Sequence, residues 1–338
     1  MRQRQRILRA SDSSRPLMNI MQQVAIAIVV VPDFQVLDLA AVTAFELANE
    51  EGNSRHYGVS LVSEFGGGIR GSFGVNVDSV RFGAAAVDTV LVTGSLGLAP
   101  ATPALKSYLG RQSAHARRVA SIGTGAFILA EAGLLDGRCA TTHWNHAHEL
   151  RARFPGVKVQ EDRIFTRDHN VWTSAGMTAG LDLALALVED DLGSEAARAV
   201  ARKMVLYHRR LGGQSQSSVL LELQPRTDRM QKTLTYAKAN LHLPLSVEDL
   251  ADVAHLSPRQ FSRAFKLETG QSPARAVELM RLEAASEMIR SAEHPLCTVA
   301  RTTGFGDIQR MRRAFLREDG QPPRALRRSV MAERADSA

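Results

Sequence analysis

The chain has 338 residues, enough for two domains, and its 44% hydrophobic content supports real cores. Its +7 net charge is uneven: residues 1–18 hold five Arg against one Asp and residues 225–338 hold 19 Lys+Arg against 14 Asp+Glu, while the middle, with 18 against 20, is near neutral. Two cysteines, Cys139 and Cys297, exclude a disulfide framework or a Cys-based zinc motif and fit a reducing cytoplasm, and no apolar run is long enough to span a bilayer.

Residues 1–20 form an arginine-bearing tail without the apolar segment of a secretory signal, predicted disordered; Met18 and Met21 offer alternative starts. From residue 21 to 210, short apolar strands alternate with helices. The strands are Val24 to Val31, Tyr57 to Ser63, Val90 to Thr93, Val119 to Ile122, Cys139 to Thr142 and Val171 to Thr173. The helices are Leu37 to Ala48, Thr124 to Ala132, Asn145 to Phe154 and Met177 to Asp190. Strands apolar on both faces and placed between helices predict a flavodoxin-like parallel α/β sandwich.

Three features of this half are weighed and set aside. Gly66 to Gly71 has dinucleotide-loop spacing, but Phe73 to Val80 alternates like a strand where a pyrophosphate site needs a helix, so the glycines read as a strand connector and no cofactor is expected. His143, His146 and His148 lack an H-E-x-x-H arrangement, and no metal site is predicted. Cys139 and Cys297 read as small core residues.

Several stretches of this half together resemble the ThiJ/PfpI branch of the class I glutamine-amidotransferase-like superfamily. They are Phe34 to Ala40, Val90 to Ser95, Ser121 to Phe127, Ala132 to Gly137, Ala140 to Trp144 and Thr173 to Gly176. The resemblance implies a strand-to-helix elbow carrying a thiolate nucleophile, a neighbouring acid and two oxyanion donors. Here the elbow position is Gly123, the acid matches Asp38, and the donor pair is Gly94 and Ser95. A glycine removes the nucleophile, and Thr124 beside it reads as a helix-opening residue, so no catalysis is expected.

The resemblance then implies a ligand-sensing site at the carboxyl ends of the strands, lined by Asp38, Gly94, Ser95, Gly123, Thr124, His143, Trp144 and Ser174. Loss of the thiol is expected to make room, and the helix start at Thr124 to favour an amide or carboxylate, with Asp38 suited to an amine. The competing readings are a loop hydrogen bond for Asp38 and a core aromatic for Trp144.

Residues 211–228 read as a linker, and residues 229–330 as an all-helical domain with a tail at 331–338. In this domain a pattern occurs twice. Val247, Leu250, Ala251 and Ala254 form one apolar face; after a turn at His255 and Leu256, Ser257 opens a second helix with Pro258 at its first position and Gln260 completing a capping box. Phe261 and Phe265 point inward and Arg259, Arg263 and Lys266 share the opposite face. In the second copy Val299, Ala300 and Thr303 pack the first helix, Gly304 to Gly306 turn, Asp307 caps, and Arg310, Arg313 and Arg317 line one face. Between them Ser272 to Arg290 reads as one helix with Ala276, Leu279, Met280 and Ala284 inward. At 1.5 Å per residue it spans about 28 Å, near one turn of B-DNA, roughly 34 Å.

These residues, with Gly270 to Pro273 and Gly320 to Pro323, resemble the DNA-binding domain of AraC/XylS-type regulators, although Leu326 stands where many members carry an aromatic. The resemblance implies tandem helix-turn-helix units contacting a double-stranded operator through Ser257, Arg259, Gln260, Ser262, Arg263, Lys266, Asp307, Gln309, Arg310, Arg313 and Arg317. With the first half it matches the amidase-like subgroup, which implies a cytoplasmic transcription regulator that is not an enzyme, acts as a homodimer, has RNA polymerase as a candidate partner, and responds to an amine, amide or carboxylate effector. The alternatives are a ThiJ/PfpI-type hydrolase or hydratase tethered to DNA, and an effector-independent DNA-binding protein.

Overall fold

The computed structural model describes residues 23–51, 55–206, 210, 212, 214–216, 219, 223, 225–291, 294–318 and 320–335; the 1–20 tail, residues 336–338 and parts of the 211–228 linker lie outside them. The N-terminal half is an eight-stranded sheet in the order β3-β4-β2-β1-β5-β6-β10-β9. Its central strands are β1 (Val24–Val29), β2 (Tyr57–Ser63), β5 (Thr89–Val92), β6 (Arg118–Ile122) and β10 (Val171–Ser174), all parallel to their neighbours in this group. Parallel strands need crossover connections, and α1 (Ala40–Glu51), α2 (Pro103–Ser113) and α3 (Gly125–Glu131) lie in three of them, while α5 (Thr178–Lys203) follows the last strand and α4 (Trp144–Arg153) lies beside the small β7 (Cys139–Ala140) and β8 (Lys158–Val159) pair. Helices on both faces bury the sheet twice over: Ile26, Ile28 and Leu91 pack toward α1 and α5, while Ala27, Val29 and Val92 pack toward α2 and α3.

The predicted parallel α/β architecture is the one observed, with local differences. Gly67–Arg70, expected as a connector, forms β3, which pairs antiparallel with β4 (Asn76–Arg81) and makes one edge of the sheet. Gly66 and Gly67 take left-handed backbone conformations that precede or open this hairpin. The other edge, β9 (Phe165–Asp168), is also antiparallel to its neighbour. The last helix runs past Asp190 to Lys203, broken at Gly193, whose φ of 84° is not helical. Cys139 is half-buried and Cys297 is exposed, so the expectation of two core cysteines fails for Cys297: it lies on the outward face of a short helix whose buried residues are Val299 and Ala300.

At the amino ends of the strands Arg118 is buried. Its Nη2 lies 2.5 Å from Asp191 Oδ2 and its Nη1 3.4 Å from Asp190 Oδ2, while its Nε donates to Thr89 Oγ1. Arg117 adds bonds of 2.9 Å to Asp88 and 2.6 Å to Asp191, and Tyr57 donates to Asp191 at 3.1 Å. Burial and the Asp191 charge push the Tyr57 hydroxyl pKa upward. The network ties β2, β5 and β6 to α5 at the end of the sheet opposite the candidate ligand site.

The C-terminal half is helical: α6 (Asp228–Ala239), α7 (Val247–Val253), α8 (Pro258–Thr269), α9 (Pro273–Ser291), α10 (Leu296–Thr302), α11 (Ile308–Glu318) and α12 (Pro323–Ala335). It has two cores. Met230, Leu234, Leu250, Phe261, Phe265 and Met280 build the first, joined by Leu223 from the predicted linker; Leu282, Ile289, Val299, Met311 and Phe315 build the second. The long α9 contributes to both, which makes it the shared wall of the two units. Its inward face holds Ala276, Met280 and Ala285, whereas Leu279 and Ala284, expected inward, are half-buried beside an interdomain cleft.

Arg281, on the same helix, is buried and donates to the carbonyls of Leu241, Leu243 and Pro244, satisfying backbone acceptors beyond the end of α6. Gly304 sits against this junction at φ 79°, and a Cβ there would lie 1.8 Å from Leu241 O. The position admits glycine alone. None of the helices among the described residues is long and apolar enough to cross a membrane.

Candidate ligand site and nucleic-acid interface

The elbow forms where β6 ends and α3 begins. Gly123 has φ 53°, a left-handed conformation that costs a glycine little, and its N–H donates to Ser174 O at 2.9 Å. A Cβ built on Gly123 would sit 3.3 Å from Gly176 Cα. The expected room left by the missing thiol is therefore not there: the backbone of Gly176, itself at φ 89°, closes against the elbow.

Around the elbow the polar groups bond one another. Gly94 N–H donates to Asp38 Oδ2 at 2.7 Å, and Ser95 N–H donates to Thr124 Oγ1 at 2.8 Å, while the Thr124 hydroxyl donates back to Ser95 O at 3.0 Å. The two amides that would form an oxyanion hole are thus both engaged inside the protein. A Cβ on Gly94 would meet Ile122 O at 2.9 Å and Thr124 Oγ1 at 3.0 Å, so this close approach needs glycine. Thr124 opens α3 as expected, but without a side-chain cap; its hydroxyl is spent on Ser95. The first-turn amides of α3 are occupied too, Ala126 N–H by Gly123 O and Phe127 N–H by Thr124 O.

Asp38 is 2% exposed and accepts the Gly94 amide, and among the described residues no cation is bonded to it. Burial raises its pKa from 3.8 to about 7, against the opposing hydrogen bonds from Gly94 and Met177. A carboxyl in this state changes charge near neutrality and favours a cationic or hydrogen-bonding neighbour. The loop-bond reading of Asp38 is the one the structure shows, through the bond from Gly94.

The structure brings Asp38, Gly94, Ser95, Gly123 and Thr124 together and keeps Ser174 beside them, but Ser174 is fully buried and its hydroxyl reaches Ser121 O at 3.4 Å. It belongs to the sheet more than to a lining. Trp144 is 62% exposed, which excludes the core-aromatic reading and places the ring on the outer rim. The His143 ring lies tilted beside it with ring centroids 5.5 Å apart, and burial followed by the His146 charge lowers the His143 pKa. Val36, Leu37, Leu96 and Met177, next or close in sequence to the elbow residues, are also exposed. Among the described residues no group of His, Cys, Asp and Glu is placed to hold a metal ion.

Two residues outside the predicted site tie it to the rest of the chain. Thr142 Oγ1 donates to Gly123 O at 2.9 Å. Gln216, from the predicted linker, donates through Nε2 to Thr142 O and Glu161 O, both at 2.9 Å, accepts Trp144 N–H at 2.8 Å, and donates its own N–H to Asp162 Oδ1 at 2.8 Å. Upstream, Gly212 O and Gln214 O accept the N–H groups of Phe165 and Ile164. The described linker residues are therefore laid along the sheet edge, and a cleft of about 660 Å³ opens between them, Gln160 to Arg163 and α9.

In the helical domain, the capping boxes come out as the sequence dictates. Ser257 and Gln260 bond reciprocally at the start of α8, and Ser246 and Asp249 do so at the start of α7. Asp307 Oδ1 accepts Arg310 N–H at 2.8 Å. The side chains of Ser257, Gln260 and Asp307, expected at the operator, are engaged in holding helix starts. Arg259, Arg263, Lys266, Gln309, Arg310 and Arg313 are exposed, and Ser262 is half-buried. Arg317 pairs with Glu278 of α9, and Arg275 pairs with Glu278 and Glu318, bracing the two units across a cleft of about 470 Å³ that Arg310 and Arg317 also line.

Comparison with known proteins covers both halves. Residues 25–190 match the model of the DJ-1/PfpI family, and residues 250–329 match that of a helix-turn-helix domain. The chain is 29% identical over 306 residues to the HTH-type transcriptional regulator GbdR of Pseudomonas aeruginosa, covering 89% of this chain and 83% of that one. It is 30% identical over 230 residues to the HTH-type transcriptional regulator ArgR of the same species, covering 67% and 69%. An isonitrile hydratase of Pseudomonas putida is 38% identical over 116 residues, 34% of this chain and half of that enzyme. The crystal structure of an AraC family transcriptional regulator from Pseudomonas putida overlays with a TM-score of 0.50 at 22% identity, over 53% of this chain and 98% of that one.

Proposed function

The chain belongs to the AraC-type helix-turn-helix transcription regulators that carry an N-terminal DJ-1/PfpI domain, and on that premise we propose that its N-terminal domain is a catalytically inactive sensor of a small metabolite. The effector sits at the mouth of the elbow, with an amine or amide facing Asp38 and an apolar part against the exposed rim. The observation that carries this reading is Gln216. Two hydrogen bonds, Thr142 to Gly123 and Gln216 to Thr142, join the elbow to a residue only seven positions before Leu223, which is buried in the core of the first helix-turn-helix unit. A ligand that moves the loop at 142–144 changes the tether of the DNA-binding domain. Such a ligand shifts operator affinity only by the difference in its affinity for the two arrangements, which for coupled sites is about 1–3 kcal/mol. We further propose that the protein works as a homodimer, the arrangement expected of its family.

The test uses the full chain with an operator duplex recovered from a random pool. A panel of primary amines, amino acids, carboxamides and carboxylates is screened by thermal shift, and each stabilising compound is then titrated into the operator complex. One class is expected to raise Tm and alter operator affinity about 5- to 150-fold. Gln216→Ala is expected to keep the Tm shift and lose the change in affinity. A panel that stabilises nothing favours effector-independent DNA binding. The similarity to an isonitrile hydratase supports the enzyme reading, and Gly123 opposes it; hydration of an alkyl isonitrile to its formamide by the purified protein would restore that reading.

A further inference from the structure

The cleft of about 470 Å³ between the two helix-turn-helix units is lined by four guanidinium groups, those of Arg275 and Arg281 from α9 and of Arg310 and Arg317 from α11, and by one carboxylate, Glu278. The four arginines are not equivalent. Arg281 is buried with its donors on three carbonyls, and burial, then the charge of Arg310, lowers its pKa. Arg275 pairs with Glu278 Oε2 at 2.9 Å and with Glu318. Arg317 pairs with the other oxygen of Glu278. The Arg310 side chain is exposed and has no ion-pair partner among the described residues.

Glu278 is thus a forked anion held between two guanidinium groups, an arrangement that arginine makes with carboxylates and phosphates alike. Even with Glu278 and Glu318 in place, positive groups outnumber negative ones around the cleft. When α8 and α11 enter two successive major grooves on one side of a duplex, the backbone that separates those grooves passes between the helices. The cleft lies between the same two units, walled by α9 and by the flank of α11. A phosphate that reaches it finds Arg310 free and Arg317 already occupied.

We propose that this cleft takes a backbone phosphate of the operator through Arg310, and that Glu278 stands in for a second phosphate by withholding Arg317 from the DNA. The inference rests on α8 and α11 as the groove-reading helices, and it makes Arg310 a phosphate ligand in place of a base reader. Non-specific binding to DNA is almost wholly electrostatic. A carboxylate that cancels one phosphate contact therefore weakens attraction to every duplex and leaves intact the base contacts that single out the operator. Its use is to keep the protein from being held by the great excess of competing sites.

The experiment compares the full-length protein on a selected operator and on an unrelated duplex across a salt series. Glu278→Gln keeps the shape and removes the charge; it is expected to bind both duplexes about fivefold more tightly at about 0.15 M salt and to steepen the slope of log affinity against log salt by about one. Arg317→Ala alone is expected to change neither quantity, and to abolish the gain when combined with Glu278→Gln. Arg310→Ala is expected to weaken both duplexes about fivefold and to flatten the slope by about one. A neutral methylphosphonate placed between the half-elements is expected to reproduce that loss in the wild type and to add nothing to Arg310→Ala. Glu278→Gln with the wild-type Tm and no gain in affinity, or a gain that survives Arg317→Ala, would overturn the proposal. Where loss of the Glu278 pairs lowers Tm, Arg310→Ala decides instead, and a loss confined to particular bases, or no loss, overturns it. Arg263→Ala separates failure of the cleft from failure of the underlying assignment: it weakens the operator selectively if α8 reads a groove, and unchanged operator affinity in that variant removes the assignment and the proposal together.

Discussion

At the elbow the amides of Gly94 and Ser95, the Asp38 carboxyl and the Thr124 hydroxyl bond one another inside the protein, whereas Arg259, Arg263, Gln309 and Arg313 stand in solvent without an ion-pair partner among the described residues. The first has turned its donors inward and keeps one carboxyl with unbalanced charge. The second keeps its donors outward and spends only Ser257, Gln260, Asp307 and Arg317 on its own framework. The comparison teaches that a site's present use is read from which polar groups are already satisfied, since a group bonded within the fold must give up that bond before it serves a ligand.

The strongest way to break this comparison is to unfold one side of it alone. Arg118→Ala removes the buried guanidinium that joins Thr89 to Asp190 and Asp191, leaving Asp191 to Arg117 and Asp190 to Arg167, at a cost of up to about 3–5 kcal/mol to the N-terminal domain. Urea unfolding followed by near-ultraviolet circular dichroism, where Trp144 and Trp172 report on that domain, is expected to show the loss; operator affinity without effector is expected to stay unchanged. A fall in operator affinity would mean that the helices depend on the elbow domain for their own stability.

Asp38 sharpens the comparison through pH. Its folded pKa, about 7, lies above the ordinary 3.8, so the folded state binds the proton more tightly than the unfolded one. Its contribution to stability is fully present below about pH 4, falls as pH rises toward 7, and is lost above it. Asp38→Asn is expected to flatten this stretch and to be more stable than the wild type by about 2–4 kcal/mol at pH 8, seen as a higher urea midpoint. An unchanged pH profile in the variant would place the titration elsewhere. An amine at Asp38 is expected to bind better above pH 7 than below it, the opposite trend to the stability of the free protein.

The smallest effect concerns Lys266, an exposed residue of α8. Lys266→Ala is expected to weaken binding to all operator variants alike and to lower the slope of log affinity against log salt by about one. A loss confined to particular bases would make Lys266 a base reader.

What was legible in the sequence was local. The Ser257 and Gln260 box, the proline at the first position of α8 and the turn glycines of the second unit depend on neighbours within three or four residues, and the helices fall where those signals put them. The parallel strands were legible because strands covered on both faces carry unbroken apolar runs. The rest depends on distant partners. Gln216 reaches residues 54 to 74 positions away and looked like part of a polar spacer. The Gly66 to Gly71 segment looked like a connector because glycines carry no strand propensity; its pairing with β4 makes it a strand. The engagement of Gly94 by Asp38 spans 56 positions, so the sequence offered the site residues without showing that their donors were taken.

The contact between Gly123 and Gly176 bears on how the site can change by descent. With Gly176 Cα only 3.3 Å from where a side chain at 123 would begin, a cysteine restored there has to push back a neighbour whose own conformation, at φ 89°, suits glycine alone. A side chain at 123 therefore asks the Gly176 backbone to give by a few tenths of an ångström before any nucleophile could be accommodated at this elbow.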